Sequence, residues 1–149
     1  MLKLLPIALS AGLLIPSLVG GLLTASQDDA EQETSALEES MGTLKRGQRG
    51  LKKLIAEPAE NQAKLMEMLI SMEAASLIAM TAKPPEPKDL SETDLALWHV
   101  GYRQTLTNLL GTILTMEDAT LRTDAKALAA AYKELGKTKK AGHEEYQQD

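Results

Sequence analysis

Apolar residues recur at helical spacing in four stretches of the chain. In the first, Leu37, Met41, Leu44, Leu51 and Ile55 follow steps of 4, 3, 7 and 4, with Lys45, Arg46, Arg49, Lys52 and Lys53 mostly off the stripe. That is the one-sided pattern of an amphipathic helix, and Pro58 marks its break. A second helix is predicted from about Glu60 to Ala82, with Leu65, Leu69, Met72, Ser76 and Ala79 on one face. Its other faces carry Met66, Met68, Ile70, Leu77, Ile78 and Met80, more apolar surface than one buried stripe requires. Lys83-Pro84-Pro85-Glu86-Pro87 ends it, because proline cannot continue the hydrogen-bond ladder. The third helix opens at Ser91-Glu92-Thr93-Asp94, a hydroxyl cap with an acid three residues on, and continues through Trp98, Tyr102, Leu106, Leu109, Ile113 and Met116 to about Asp118. The fourth spans about Thr123 to Tyr146, with Leu128, Tyr132, Leu135, Lys139, His143 and Tyr146 in its stripe. Four helices joined by short polar turns predict an all-α, antiparallel up-down-up-down four-helix bundle.

The N-terminus has a different pattern. Lys3 precedes an apolar run from Leu4 to Leu23 that is broken by Pro6, Gly12, Pro16, Gly20 and Gly21 and closes on Thr24-Ala25-Ser26. Residues 1–26 read as a cleaved secretory signal peptide, the prolines, glycines and small-residue exit weighing against a retained membrane anchor. Residues 27–34 read as an acidic flexible lead, and 35–149 as the helical domain. On this reading the mature protein has no membrane segment, and loss of Lys3 takes the net charge from −5 to −6.

Composition narrows the chemistry. The 149 residues include no Cys and no Phe, and aromatics make up 3%. Leu, Ala, Met, Lys and Glu are helix formers, whereas strands draw on aromatic and β-branched residues. Without Cys there is no disulfide, thiolate metal site, thiol nucleophile or covalently attached c-type haem. A net charge of −5 argues against nucleic acid as a partner. Two His, no Cys and no acid at an evident core position leave no acid–base pair for an enzyme.

Helix arithmetic brings two residues together. With sequential helices antiparallel, the start of the first helix lies beside the end of the fourth. Met41 and His143, each on its helix's inward stripe, then fall at one level on facing helices. A thioether and an imidazole suit the axial positions of haem iron. Spacing alone leaves two plain alternatives open: a core-filling Met and a His that favours the helix dipole.

Leu37-Glu38-Glu39-Ser40-Met41-Gly42-Thr43-Leu44 resembles the opening Leu-Glu-x-x-Met-x-Thr-Leu of the periplasmic cytochrome b562 family. Leu69-x-x-Met72-x-Ala74-Ala75-x-Leu77, leading to Pro84-Pro85, is similar to the family's second helix and loop. Thr138-Lys139-Lys140-Ala141-Gly142-His143-Glu144-Glu145-Tyr146 is similar to its last turn. The resemblance implies a periplasmic electron carrier holding one noncovalent haem b, with Met41 and His143 as the iron's ligands. It implies that Trp98 and Tyr102 pack against the porphyrin, although core packing serves Tyr102 equally well. Leu44 would form a third wall, and Lys139, where the family has Arg, would hold a propionate as a point charge. Gly142 departs from the pattern, standing where the family usually has an aromatic residue. His99 is not at a ligand position.

With both axial positions filled, the implied chemistry is outer-sphere one-electron transfer to redox partner proteins, for which Glu38, Glu39, Glu144 and Glu145 form an acidic rim. Two other functions compete. Six methionines beyond the first residue invite copper(I), although only Met66-x-Met68 is clustered. A haem-free bundle could instead bind a protein partner. The extra apolar surface of the second helix reads as a homodimer face, a partner patch or loose Met packing.

Overall fold

The computed structural model describes residues 22–146, with side chains from residue 35 onward. Four helices follow one another: α1 (Leu22–Leu54), α2 (Pro58–Thr81), α3 (Glu92–Leu121) and α4 (Ala125–Tyr146). No strand occurs among the described residues, and each helix packs against the next to form the all-α antiparallel bundle. The expected signal peptide, residues 1–26, lies outside the described residues as far as residue 21. Residues 27–34 are helical and extend α1 toward its N-terminus. Gln27 to Ser40 contains neither proline nor glycine, so nothing in that stretch interrupts helix propagation. Met41 therefore lies well inside α1.

The helix ends have local causes. Pro58 is the first residue of α2, where a missing N–H costs nothing. Ser91 caps α3: its Oγ accepts from the Asp94 backbone N at 3.2 Å and donates to Asp94 Oδ2 at 2.6 Å. At the other end of α3, Asp124 N bonds Ala119 O at 2.9 Å and Thr123 N bonds Thr120 O at 3.0 Å. This is a Schellman motif with Thr123, at φ 53°, in the left-handed position that glycine usually takes. Asp124 Oδ1 then accepts from Ala127 N at 2.9 Å and caps α4.

The core runs along the bundle axis through Leu51, Leu65, Leu69, Met72, Ile113, Met116, Leu128 and Leu135, all essentially inaccessible to solvent. The two hydroxyl residues with no exposure at all, Ser76 and Thr120, donate to carbonyls one turn back, at Met72 and Met116, and so carry no unmet polar demand. Contact between α1 and α4 is sparse by comparison with the three sequential pairs. Gln48 bridges the two: its carbonyl accepts from Tyr132 Oη at 3.2 Å and its Oε1 from Lys139 Nζ at 3.0 Å.

Candidate functional site

The Gln48 bridge sets the register of the candidate site. Gln48 lies between the levels of Tyr132 and Lys139, so Met41, two turns earlier on α1, lies level with the last two turns of α4, which contain His143. Both residues line one cavity of about 550 Å³, a size ordinary for a small-molecule site. Leu37, Leu44, Leu106, Leu109 and Leu135 supply apolar walls, Pro84 and Pro85 close one side, and Lys45 and Lys139 bring positive charge.

Of the residues singled out in the sequence, Met41, Leu44, Tyr102, Lys139 and His143 all line this cavity. Trp98 does not. It stacks on Tyr102 with ring centroids 6.3 Å apart and planes 12° apart, and meets Tyr146 edge-on at 5.3 Å. Tyr102 and Tyr146 also meet edge-on, at 5.5 Å, so Trp98 backs the two rings that face the cavity. His99 is held elsewhere, its Nε2 3.0 Å from Oε1 of Glu86 in the α2–α3 connection.

Each cavity side chain is positioned by its helix. Tyr102 is buried and donates to the carbonyl of Ala79 at 3.0 Å, and burial pushes its phenol up to about 12. Ala79 is in the last turn of α2, where carbonyls lose their intrahelical partners, so this bond also finishes that helix. His143 is partly desolvated and lies near the ammonium groups of Lys139 and Lys45. Burial first, then those two cations, hold its pKa below the usual 6.5, which favours the neutral imidazole that a metal requires. Met72 also borders the cavity, but its sulfur packs against Gly47, where a side chain of any size would collide with it. Met41, half-buried, lines the same cavity from α1. Gly142 allows a close approach of a different kind: a Cβ there would come within 3.1 Å of Thr105 Cγ2 on α3.

Sequence reasoning did not single out Gln48, Pro84, Pro85, Thr105 or Tyr146 as site residues. Gln48 and Tyr146 were within reach, since each continues the helical stripe of Met41 or His143. The positions of Pro84 and Thr105 depend on how α2, α3 and α4 meet, which no single helix pattern encodes.

The family model for cytochrome b562 matches residues 36–147. The chain belongs to the cytochrome b562 family. No curated protein shows significant similarity to it. Membership makes it a b-type, haem-binding electron-transfer protein, an electron carrier by family. The cavity fits that cofactor by its own chemistry: apolar walls, a methionine and a histidine among the lining residues, the histidine's pKa lowered in favour of the neutral imidazole, and two ammonium groups suited to propionates. No helix among the described residues is long and apolar enough to cross a membrane.

Proposed function

We propose that this cytochrome b562 family member holds one noncovalent haem b through Met41 and His143 and carries single electrons between redox partner proteins in the periplasm. The observation that carries this reading is that the two residues, from α1 and α4, line the same apolar cavity. A haem bound there would supply a one-electron Fe(III)/Fe(II) couple, with Met41 and His143 as the residues that would hold its iron. Met41 would contribute a weak thioether donor that favours the reduced state, and His143 the stronger nitrogen donor. Leu37, Leu44, Leu106 and Leu109 exclude water from the porphyrin edge, and Lys139 and Lys45 offset the propionates. The four packed helices hold both ligands in one geometry, so little reorganises when the charge changes.

Noncovalent attachment follows from the complete lack of cysteine. Export through residues 1–26 belongs to the same reading, and mass analysis of the protein recovered from a periplasmic extract tests it. The copper alternative has less support. Met116 is buried in the core, Met68 packs against Gly50, and the two methionines that line the cavity, Met41 and Met72, come without a further clustered thioether among the lining residues.

The test is the visible spectrum after adding one equivalent of haemin, air-oxidised and then reduced with dithionite. A sharp Soret shift with narrow α and β bands on reduction, lost in Met41→Ala and in His143→Ala, is expected. A broad free-haemin spectrum indifferent to both substitutions would overturn the reading.

A further inference from the structure

Charge is sorted between the two sides of the bundle. From Lys45 to Leu54, α1 carries five cations and no acid, and from Lys126 to Lys140, α4 carries five cations and one acid, Glu134. The other two helices are reversed: α2 and α3 together carry seven acids against two cations, Lys64 and Arg103. A chain of net charge −5 thus presents a cationic side.

The two cationic segments meet at one seam. Gln48 joins them through its bonds to Tyr132 and Lys139. On α1, Lys45 and Lys52 lie one turn to either side of Gln48 on the same face, and Arg49 follows it toward solvent. On α4, Lys133 and Lys140 each follow a bridged residue by one position and are exposed. Lys126, Lys133 and Lys140 are spaced at i, i+7 and i+14, one row with about 10 Å between successive charges. Lys45, Arg49, Lys52, Lys126 and Lys133 join no ion pair among the described residues, and Lys140 meets only Glu144, at 3.6 Å. Such an array of like charges attracts an extended anionic surface.

Two observations say what that surface is. The exposed large apolar side chains, Ile70, Leu77, Leu97, Leu114 and Leu121 among them, belong to α2, α3 or their connection, and none to α1 or α4. The seam therefore has no apolar anchor for a lipid layer, which helices that lie on membranes use together with their charge. The cationic band also runs into the cavity, since Lys45 and Lys139 at its end are among the lining residues. Electron transfer weakens steeply with distance, so a protein seated on this band would rest beside the edge of the cofactor.

We propose that the α1–α4 seam docks the acidic face of a redox partner protein, whose carboxylates meet Arg49, Lys52, Lys133 and Lys140 next to the cavity. The inference rests on the haem reading for the redox character of that partner and adds the sign and place of the contact. The acidic α2–α3 side repels the same partner, so the bundle is oriented before contact.

The first measurement needs no haem: calorimetric titration of the haem-free protein with a polyglutamate peptide, in low and in high salt. The wild type should bind in low salt and release the peptide as salt screens the seam. The combined variant R49E/K52E/K133E, changed only at exposed positions outside the cavity, should bind about tenfold or more weakly with its circular dichroism unchanged. The second measurement follows oxidation of the reduced, haemin-loaded protein by hexacyanoferrate(III), an anion that accepts the single electron. Net charge alone predicts repulsion and a rate that rises with ionic strength. Docking at the seam predicts a rate that falls, and the triple reversal should turn that slope around.

A wild-type rate that rises with ionic strength, or a haem-free protein indifferent to polyglutamate, would overturn the proposal. Vesicles of phosphatidylglycerol and phosphatidylcholine that hold the wild type where polyglutamate does not would give the seam to a membrane and overturn it equally. Failure to take up haemin would instead remove the haem reading, and the polyglutamate titration would still decide whether the seam binds an acidic chain.

Discussion

Lys139 donates from Nζ to Oε1 of Gln48 at 3.0 Å, joining α4 to α1 beside the cavity that both residues line. The partner is a neutral amide, and Lys139 makes no ion pair among the described residues. Its positive charge therefore remains available to an anion in the cavity, and the bond to Gln48 holds the flexible stem in place. Lys139→Gln should lower haemin affinity by roughly 0.5–1 kcal/mol, a two- to fivefold change, because a half-exposed charge is well screened. Lys139→Arg should retain the affinity. Haemin titrations of the three proteins decide this, with the band positions unchanged throughout. An affinity unaffected by Lys139→Gln would remove Lys139 from the site.

The same lysine acts on His143. Burial, Lys139 and Lys45 lower the His143 pKa below 6.5, so the folded protein binds the imidazole proton less well than the unfolded chain does. Protonation then favours unfolding, and the haem-free protein loses stability as pH falls from 6.5 toward the lowered value. Haemin affinity should fall over the same acid range, since imidazolium cannot ligate iron. An NMR titration of the haem-free protein should place the His143 midpoint under 6.5. Lys45→Gln and Lys139→Gln should each raise it part of the way, burial being the larger cause. A wild-type midpoint at or above 6.5 contradicts this account.

Tyr102 links the cavity to the end of α2. Tyr102→Phe keeps the ring and its packing on Trp98 and Tyr146 but leaves the Ala79 carbonyl without its donor. The expected cost is about 1–2 kcal/mol in urea unfolding, with the m-value unchanged and the haem spectrum intact. A spectral shift would mean that the hydroxyl, and not only the ring, matters to the cofactor.

Most of this architecture could be read from the chain because each helix carries its own evidence. The stripes around Leu65 and Leu69, Leu106 and Ile113, and Leu128 and Leu135 became the buried core, and Ser91 became the cap of α3. The N-terminal limit of α1 was not legible. Polarity in residues 27–34 suggested a flexible lead, yet those residue types favour helix as readily as coil, and α1 includes them. Met41 and His143 share a level because the rise per residue of a helix is fixed and short connections make sequential helices antiparallel. Trp98 and Tyr102, one turn apart, were indistinguishable in the pattern. Which ring faces the cavity depends on Tyr146 arriving from α4 beside Gly101, a tertiary contact that no period within α3 reveals.

Thr123 occupies the left-handed position of the α3–α4 turn at φ 53°, which a β-branched residue adopts only under strain. Thr123→Gly should remove that strain, less what glycine adds to the freedom of the unfolded chain. The net gain should be about 0.5–1 kcal/mol by thermal or urea unfolding. Thr123→Ala, which keeps a Cβ in the same conformation, should gain clearly less. Equal effects from the two substitutions would show that the turn does not store this strain.

Gly142 poses the opposite balance. In a helix interior alanine is worth about 1 kcal/mol over glycine, which alone would make Gly142→Ala stabilising. The added Cβ, however, would come within 3.1 Å of Thr105 Cγ2, tighter than packed side chains normally allow. Gly142→Ala by itself should therefore gain less than the helix preference predicts. Combined with Thr105→Ala, which removes the opposing methyl, it should show the full gain, giving a favourable coupling in a double-mutant cycle. Gly142→Phe, placing an aromatic before His143 as the family pattern has it, should push α4 away from α3 and weaken haemin binding unless Thr105 is also reduced. Additivity in the alanine cycle would show that α4 already has room to move, and the absence of an aromatic residue at Gly142 would then have no basis in this contact.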